Sequence, residues 1–285
     1  MISYIIVSYN TTQYTQNTIL SILNCCKDFE IIVVDNNSSD STVHDINTNF
    51  SNYIGSIIKV IPCQNNNGFS KANNIGAKLA QGDYFVFINP DTVVLSDIGN
   101  ELRLIYETKF KSKQVILSPQ ILNPDYTLQH CLNLFPIINI STFFKKIKKQ
   151  LTSKSRTEYI GSDWITGVCF CVSKETFQNL SGWNEMYDLY SEDLDFCYRL
   201  KKYLSGQVIL CKNIKLIHYG NQSGKLVYKS TYSQFKKKMD SLKKFYLTYY
   251  NEKKFIKYLG KLKFFNKSED LIRYYNEQKH ISNNG

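Results

Sequence analysis

FEIIVVDNNSSD, residues 29–40, decides the fold. Its apolar run Ile31, Ile32, Val33, Val34 does not alternate with polar residues, stops on Asp35 and turns at once into Asn and Ser. A short β-branched run of this kind suits a strand covered on both faces, the condition of a parallel sheet. The same grammar recurs on either side. Ile2 to Ser8, Ile57 to Pro62 and Tyr84 to Asn89 are short β-branched or aromatic runs closed by Asn, Asp, Pro or Ser. Between them, Thr15 to Cys25 carries Ile19, Ile22 and Leu23, and Ser70 to Ala80 carries Ala72, Ile75, Ala77 and Leu79, both at helical spacing. Strand, helix, strand at this rhythm predicts an α/β fold with right-handed crossovers and a mostly parallel central sheet. Residues 1–110 are expected to form one doubly wound, Rossmann-like nucleotide-binding half.

Beyond that half the pattern is less regular. Asn100 to Lys109 reads as a helix, Val115 to Ser118 and Val168 to Val172 as strands, and Leu134 to Arg156 as an apolar stretch that turns basic. Ser191 is expected to cap a helix whose first turn holds Asp193 and Asp195 and whose inner face holds Leu194, Cys197, Tyr198 and Leu200.

The acidic residues fall where apolar runs stop: Asp35, Asp91 after YFVFI, and Glu192 with Asp193 in DLYSEDLDF. Ligands of open α/β sheets bind at the carboxyl ends of the strands, so carboxylates repeated there point to one shared polar site and to an enzyme. Each position also has a plainer reading. Asp35 followed by Asn and Ser is an ordinary turn, Asp91 after Pro90 can cap a helix, and Glu192 with Asp193 can offset a helix dipole. Asn89 and Asp91 together present oxygen ligands of the kind that Mg²⁺ or Mn²⁺ favours. His218, in IKLIHYGNQSG, follows a further apolar run, and a lone His there is more often structural than a ligand.

With 285 residues and 43% hydrophobic content, the chain can bury a full core. Eight cysteines without a CxxC pair read as reduced and buried, and MISYIIVSYN has neither a basic n-region nor a cleavage site. The expected setting is cytoplasmic. Residues 222–285 hold 15 Lys and Arg against 5 Asp and Glu, so +10 of the net +11 sits in the tail. That segment, 224–285, interleaves Lys with Phe, Tyr and Leu at near-helical spacing and is expected to lie on an anionic membrane surface at its inner face, or to pack on the body. Nucleic acid is not expected as a partner, because no helix-turn-helix, RNP or zinc pattern accompanies the charge.

SYN at residues 8–10, VVDNNSSD at 33–40, NNGFSKANNIG at 66–76, NPD at 89–91, SGWNEMYDLYSEDLDFCYRL at 181–200 and HYGNQS at 218–223 occur in that order. The series resembles the family 2 glycosyltransferases of GT-A fold, most of all the bacterial rhamnosyltransferase type of surface polysaccharide and O-antigen synthesis, and it covers residues 1–223. The resemblance implies a nucleotide-binding half, 1–110, and an acceptor half, 111–223. It implies that Asp35 reads the base beside the backbone of Val7 and Ser8, and that Asn73 contacts the nucleotide. Asp91 matches the last position of the family's DxD element, with Asn89 where the first Asp stands, leaving a metal one carboxylate fewer. Asp193 matches the catalytic base, Glu192 its companion and His218 a late metal or diphosphate ligand, while Trp164 is expected at the acceptor.

The implied reaction is inverting transfer from dTDP-L-rhamnose or a UDP-hexose to a glycan or lipid-linked acceptor, assisted by Mg²⁺ or Mn²⁺. A nucleotidyltransferase would want a Gly-rich phosphate loop, which SYNTTQYTQ does not provide. A non-catalytic nucleotide-sugar module is the other alternative.

Overall fold

The computed structural model describes residues 1–111, 113–136, 157–220, 230–265 and 268–283. They fall into two units, the first from 1–133, 156–188 and 192–226, the second from 134–155, 189–191 and 227–285.

The first unit opens with β1 (Ile2–Ser8), α1 (Thr12–Cys25), β2 (Phe29–Asp35), α2 (Thr42–Asn49), β3 (Ile58–Pro62), α3 (Gly68–Leu79) and β4 (Tyr84–Ile88). These strands lie in the order β3-β2-β1-β4, all parallel. All seven residues of β1 are buried, as the unbroken apolar runs require when helices cover both faces. The strand order reverses between β1 and β4, a topological switch point that opens a crevice at the carboxyl ends.

The rest of the unit adds β5 (Thr92–Val94), α4 (Ile98–Ile105) running into a π-helical turn at Tyr106–Phe110, and β6 (Val115–Leu122). Then come β7 (Leu132–Asn133), β8 (Tyr159–Ser162), β9 (Trp164–Ile165), β10 (Cys169–Ser173), α5 (Lys174–Asn179), α6 (Glu192–Leu204) and β11 (Gln207–His218). The sheet continues from β4 through β10, β6 and β11 to β5, with β8 also on β11. β1 to β4, β6 and β11 run one way; β5, β8 and β10 oppose them. β7 and β9 pair separately.

Three local features depart from the sequence pattern. β6 continues past Ser118 through Pro119 because the β11 register shifts between Cys211 and Lys215, an irregularity where a missing N–H is tolerated. The helix expected over Asn100 to Lys109 starts earlier and ends in the π-helical turn. Ser191 has φ 65, left-handed rather than the extended backbone of a usual N-cap, and α6 starts at the next residue, Glu192.

In the second unit, α7 (Thr231–Tyr249) starts with a capping box between Ser230 and Ser233 and is followed by α8 (Glu252–Phe265) and α9 (Glu269–Asn283). Phe245, Tyr246, Phe255, Leu259, Leu271 and Tyr274 are buried, with Tyr246 against Phe255 and Phe255 against Tyr274. The aromatic spacing of the tail is therefore largely consumed by its own packing. Among the described residues no helix is long and apolar enough to cross a membrane, and all eight cysteines are unbridged. Of the stretch Leu134 to Arg156, residues 137–156 lie outside the described residues.

Candidate active site

Asp35 ends β2 beside Ser8 of β1 and is only 2% exposed. Its Oδ2 accepts the Ser38 N–H at 3.0 Å, which is the turn expected from the sequence, but Oδ1 is buried without a hydrogen-bond partner. A buried carboxylate oxygen left unpaired costs about 1–3 kcal/mol or more unless a ligand donor meets it. Ser8 is fully buried, its hydroxyl 2.8 Å from that of Thr15, and Val7 is buried one residue earlier.

Asn36 carries this site into the next loop. Its Oδ1 accepts the Asn67 N–H at 2.7 Å, and its Nδ2 donates to Asn66 Oδ1 and the Gly68 carbonyl. Asn73 is buried in α3, where its Nδ2 donates to the Phe69 carbonyl at 3.0 Å, while its neighbour Asn74 holds both the N–H and the carbonyl of Trp183. Trp183 in turn stacks on Phe196 at 4.5 Å, fixing α6 to the sheet side of the unit.

The Asn89–Asp91 turn is clamped from α1. The Thr18 hydroxyl lies 2.7 Å from the carbonyls of Pro90 and Thr92, and Thr92 donates back to the Asn89 carbonyl. Asp91 Oδ1 then lies 3.2 Å from His218 Nε2, and Asn89 Nδ2 lies 3.4 Å from the same nitrogen. His218 Nδ1 is 2.7 Å from Gln129 Oε1 and donates to it, so the ring orientation is set from behind. Nε2 therefore either donates a proton to Asp91 or offers a lone pair beside it to a cation. One carboxylate oxygen and one imidazole nitrogen fit a divalent ion such as Mn²⁺, with substrate phosphates completing the shell. Among the described residues no group of three or more His, Cys, Asp and Glu is gathered for a metal, in keeping with Asn89 in place of an acid.

The third part is the acidic pair, both 8% exposed at the start of α6. Asp193 Oδ2 accepts the Gly167 N–H at 2.9 Å and Oδ1 accepts the Leu194 N–H at 2.7 Å. Burial pushes its carboxyl up to about 6, against the pull of those two amides. Glu192 is pushed well above the usual carboxylate range, by burial first and by the Asp193 charge second, and its Oε2 has no partner. Both adjacent carboxyls are thus pushed upward, Asp193 by burial and Glu192 by burial and then by the Asp193 charge.

The parts are joined. Asn89 N–H donates to the Val168 carbonyl at 2.9 Å, and the next residue back, Gly167, binds Asp193, so the chain at 167–168 ties the NPD turn to α6. Trp164 sits on β9, on which α6 packs, half-buried. Sequence reasoning missed Gln129, Asn36 and Gly167. Two act on other site residues rather than on a ligand, and Gly167 acts through its backbone, whose only trace is the Thr-Gly step after Ile165.

Residues 3–118 match the family described as Glycosyl transferase family 2. The low-salt glycan biosynthesis hexosyltransferase Agl10 of Haloferax volcanii is 26% identical over 216 residues, 70% of this chain and 62% of that protein. The rhamnosyltransferase WbbL of Escherichia coli is 26% identical over 215 residues, 70% of this chain and 76% of that one. The chain thus spans less than two thirds of the first of these relatives. The mannosyltransferase PcManGT of Pyrobaculum calidifontis, solved with GDP-Man and Mn²⁺, superposes with a TM-score of 0.58 at 11% identity over 98% of this chain and 68% of that one. A parallel half-sheet with a switch point, carboxylates at its carboxyl ends and this family match agree: residues 3–118 match the glycosyl transferase family 2 model, and the fold is of the GT-A type.

Proposed function

We propose that the protein transfers a sugar from a nucleotide-diphosphate donor to a hydroxyl of a glycan or lipid-linked acceptor, inverting the anomeric carbon. The observation that carries the reading is the run from His218 and Asp91 through Asn89, Val168 and Gly167 to Asp193. Asp193 is ionised above about pH 6 and takes the proton of the acceptor hydroxyl. The acceptor oxygen bonds to C1 as the bond from C1 to the diphosphate oxygen breaks, and that electron pair leaves with the diphosphate. One base and one displacement give attack opposite the leaving group. A positioned base of this kind contributes about 10²–10⁴-fold. Burial and the neighbouring Asp193 charge both disfavour a second negative charge at Glu192.

On the donor side, Asp35 Oδ1 accepts an N–H of the base, with Val7 and Ser8 beside it and Asn73 on the nucleotide side. Asp91 and His218 would hold Mg²⁺ or Mn²⁺, which when bound would neutralise charge on the departing diphosphate. The Mn²⁺ and GDP-Man in the mannosyltransferase structure support this assignment. The hexosyl- and rhamnosyltransferase relatives favour a UDP-hexose or dTDP-L-rhamnose as donor in surface polysaccharide synthesis, with Trp164 toward the acceptor. With Phe245, Tyr246, Phe255 and Tyr274 buried, the basic segment 224–285 meets an anionic membrane through lysines instead. Lys253, Lys257 and Lys261 are exposed and recur every four residues along α8.

Turnover of a nucleotide-sugar panel with Mn²⁺, and again after EDTA, tests the proposal. Nucleoside diphosphate release that needs the metal and disappears in Asp193→Asn is expected; no release from any donor refutes it.

A further inference from the structure

Within the first unit, β6 runs on into a short hairpin. Leu122 and Leu128 form an antiparallel bridge, the Asn123 N–H donates to the Thr127 carbonyl at 2.8 Å, and the Gln129 N–H donates to the Ile121 carbonyl at 3.0 Å. The backbone therefore holds the hairpin by itself. Its side chains make a second set of bonds that leads inward. The Thr127 hydroxyl donates to Asp125 Oδ1 at 2.6 Å and accepts from Asn123 Nδ2 at 2.9 Å. Asn123 Oδ1 accepts from Gln129 Nε2 at 3.0 Å, and Gln129 Oε1 lies 2.7 Å from His218 Nδ1. Asp125 is exposed at one end of this chain of bonds, and His218 is buried at the other.

The chain of bonds has one consistent polarity, and Asp125 sets it. The Thr127 hydroxyl and N–H hold the Asp125 carboxyl below the usual carboxylate range, and an ionised carboxylate can only accept. Thr127 must then donate to Asp125, so its oxygen takes the Asn123 amide N–H. An amide carries its oxygen and its nitrogen on opposite arms, so Asn123 turns its oxygen to Gln129, and Gln129 turns its oxygen to His218. Reversing either amide would set two acceptors or two donors face to face. His218 therefore presents N–H at Nδ1, and in the neutral ring the lone pair falls on Nε2. That nitrogen faces Asp91 Oδ1 at 3.2 Å and Asn89 Nδ2 at 3.4 Å. We infer that the relay from Asp125 through Thr127, Asn123 and Gln129 is a positioning device that sets the tautomer of His218 and keeps its Nε2 lone pair for a divalent cation shared with Asp91. A lone pair and a carboxylate oxygen at that separation repel each other until a cation joins them, and a hydrogen bond from the far ring nitrogen strengthens the ligand. In its consequence for the metal the inference rests on the metal assignment above. The tautomer itself does not.

Ring nitrogen NMR of the full-length, metal-free protein with isotope-labelled histidine reports the tautomer directly. Spectra are taken above the pH at which the His218 signals stop changing, and those signals are identified by their loss in His218→Asn. The wild type is expected to show a protonated Nδ1 and a bare Nε2. Gln129→Leu should move the proton to Nε2, where Asp91 is then the acceptor. Thr127→Val, which removes one exposed hydroxyl far from the ring, should free Asn123 to turn and give a mixture of tautomers. Thr127→Ser should restore the wild-type spectrum. Affinity for Mn²⁺ alone should fall about 10- to 100-fold in Gln129→Leu, the usual scale for losing the partner behind a ligating His. A wild-type ring protonated at Nε2 and bare at Nδ1 overturns the inference. So does a proton that stays on Nδ1 in both Gln129→Leu and Thr127→Val, or a Thr127→Ser spectrum like that of the valine variant. If the wild type binds no Mn²⁺ while the ring spectra shift as expected, the metal assignment falls and the relay stands.

Discussion

Asp193 combines two backbone amides that favour its charge with burial that opposes it, and burial wins, moving the carboxyl from 3.8 to about 6. The sign of the consequence follows. Between these values the folded protein holds a proton that the unfolded chain has released, so this residue costs stability as pH rises through the window. Moving the carboxyl from 3.8 to about 6 corresponds to roughly 3 kcal/mol at neutral pH. Asp193→Asn removes that slope. Urea unfolding at about pH 4 and about pH 7.5 should show the variant gaining on the wild type by roughly this amount at the higher pH. The same variant should lose about 10²–10⁴-fold in kcat with donor affinity nearly intact. Wild-type-like turnover would remove Asp193 from the mechanism. Asp35→Ala should act oppositely: a charged hydrogen-bond acceptor of about 1.5–3 kcal/mol is lost to the base, so donor KM rises about 10-fold or more while kcat changes less. Unchanged donor KM would leave Asp35 as a turn residue.

At the scale of elements, α3 owes its place to Gly76. A Cβ there would meet Ile5 Cγ2 at 2.6 Å and Val34 Cγ2 at 3.2 Å, so the helix lies on β1 and β2 with no room for a methyl group. Gly76→Ala should destabilise the protein by about 1–3 kcal/mol in equilibrium unfolding, although alanine is the better helix former. A stabilised variant would mean that α3 shifts freely. The central strands were legible because unbroken β-branched runs closed by Asp or Asn admit few other readings. β5, β8 and β9 were not. Each is two to four residues long; β5 and β8 exist because the longer β11 offers them an edge, and β9 pairs with the equally short β7.

At the scale of the molecule, the basic segment changed meaning. Its regular Phe and Tyr spacing suits a membrane-facing helix and a helical bundle equally, and Phe245, Phe255 and Tyr274 are buried in the bundle. The membrane prediction therefore moves to charge. Replacing Lys253, Lys257 and Lys261 with Gln should weaken binding to anionic vesicles by up to about 3 kcal/mol, at about 1 kcal/mol per lysine. Wild-type binding should itself fall as salt shortens the Debye length from ~10 Å at 0.1 M to ~3 Å at 1 M. Vesicle affinity indifferent to both changes would end the membrane reading.

The sequence by itself determined the parallel half-sheet, its crossover helices and the carboxylates at the strand ends, because periodicity and turn residues are local properties of the chain. Only the tertiary structure decided which of those carboxylates share a site. Asp91 meets His218 across 127 positions of sequence, and Asp193 is held by Gly167 through a backbone amide that no residue type announces. Nor could spacing say that Asp35 keeps one oxygen unpaired or that Asp193 is pushed up to about 6. Burial and long-range hydrogen bonding set those properties, and both arise only when distant segments of the chain are packed together.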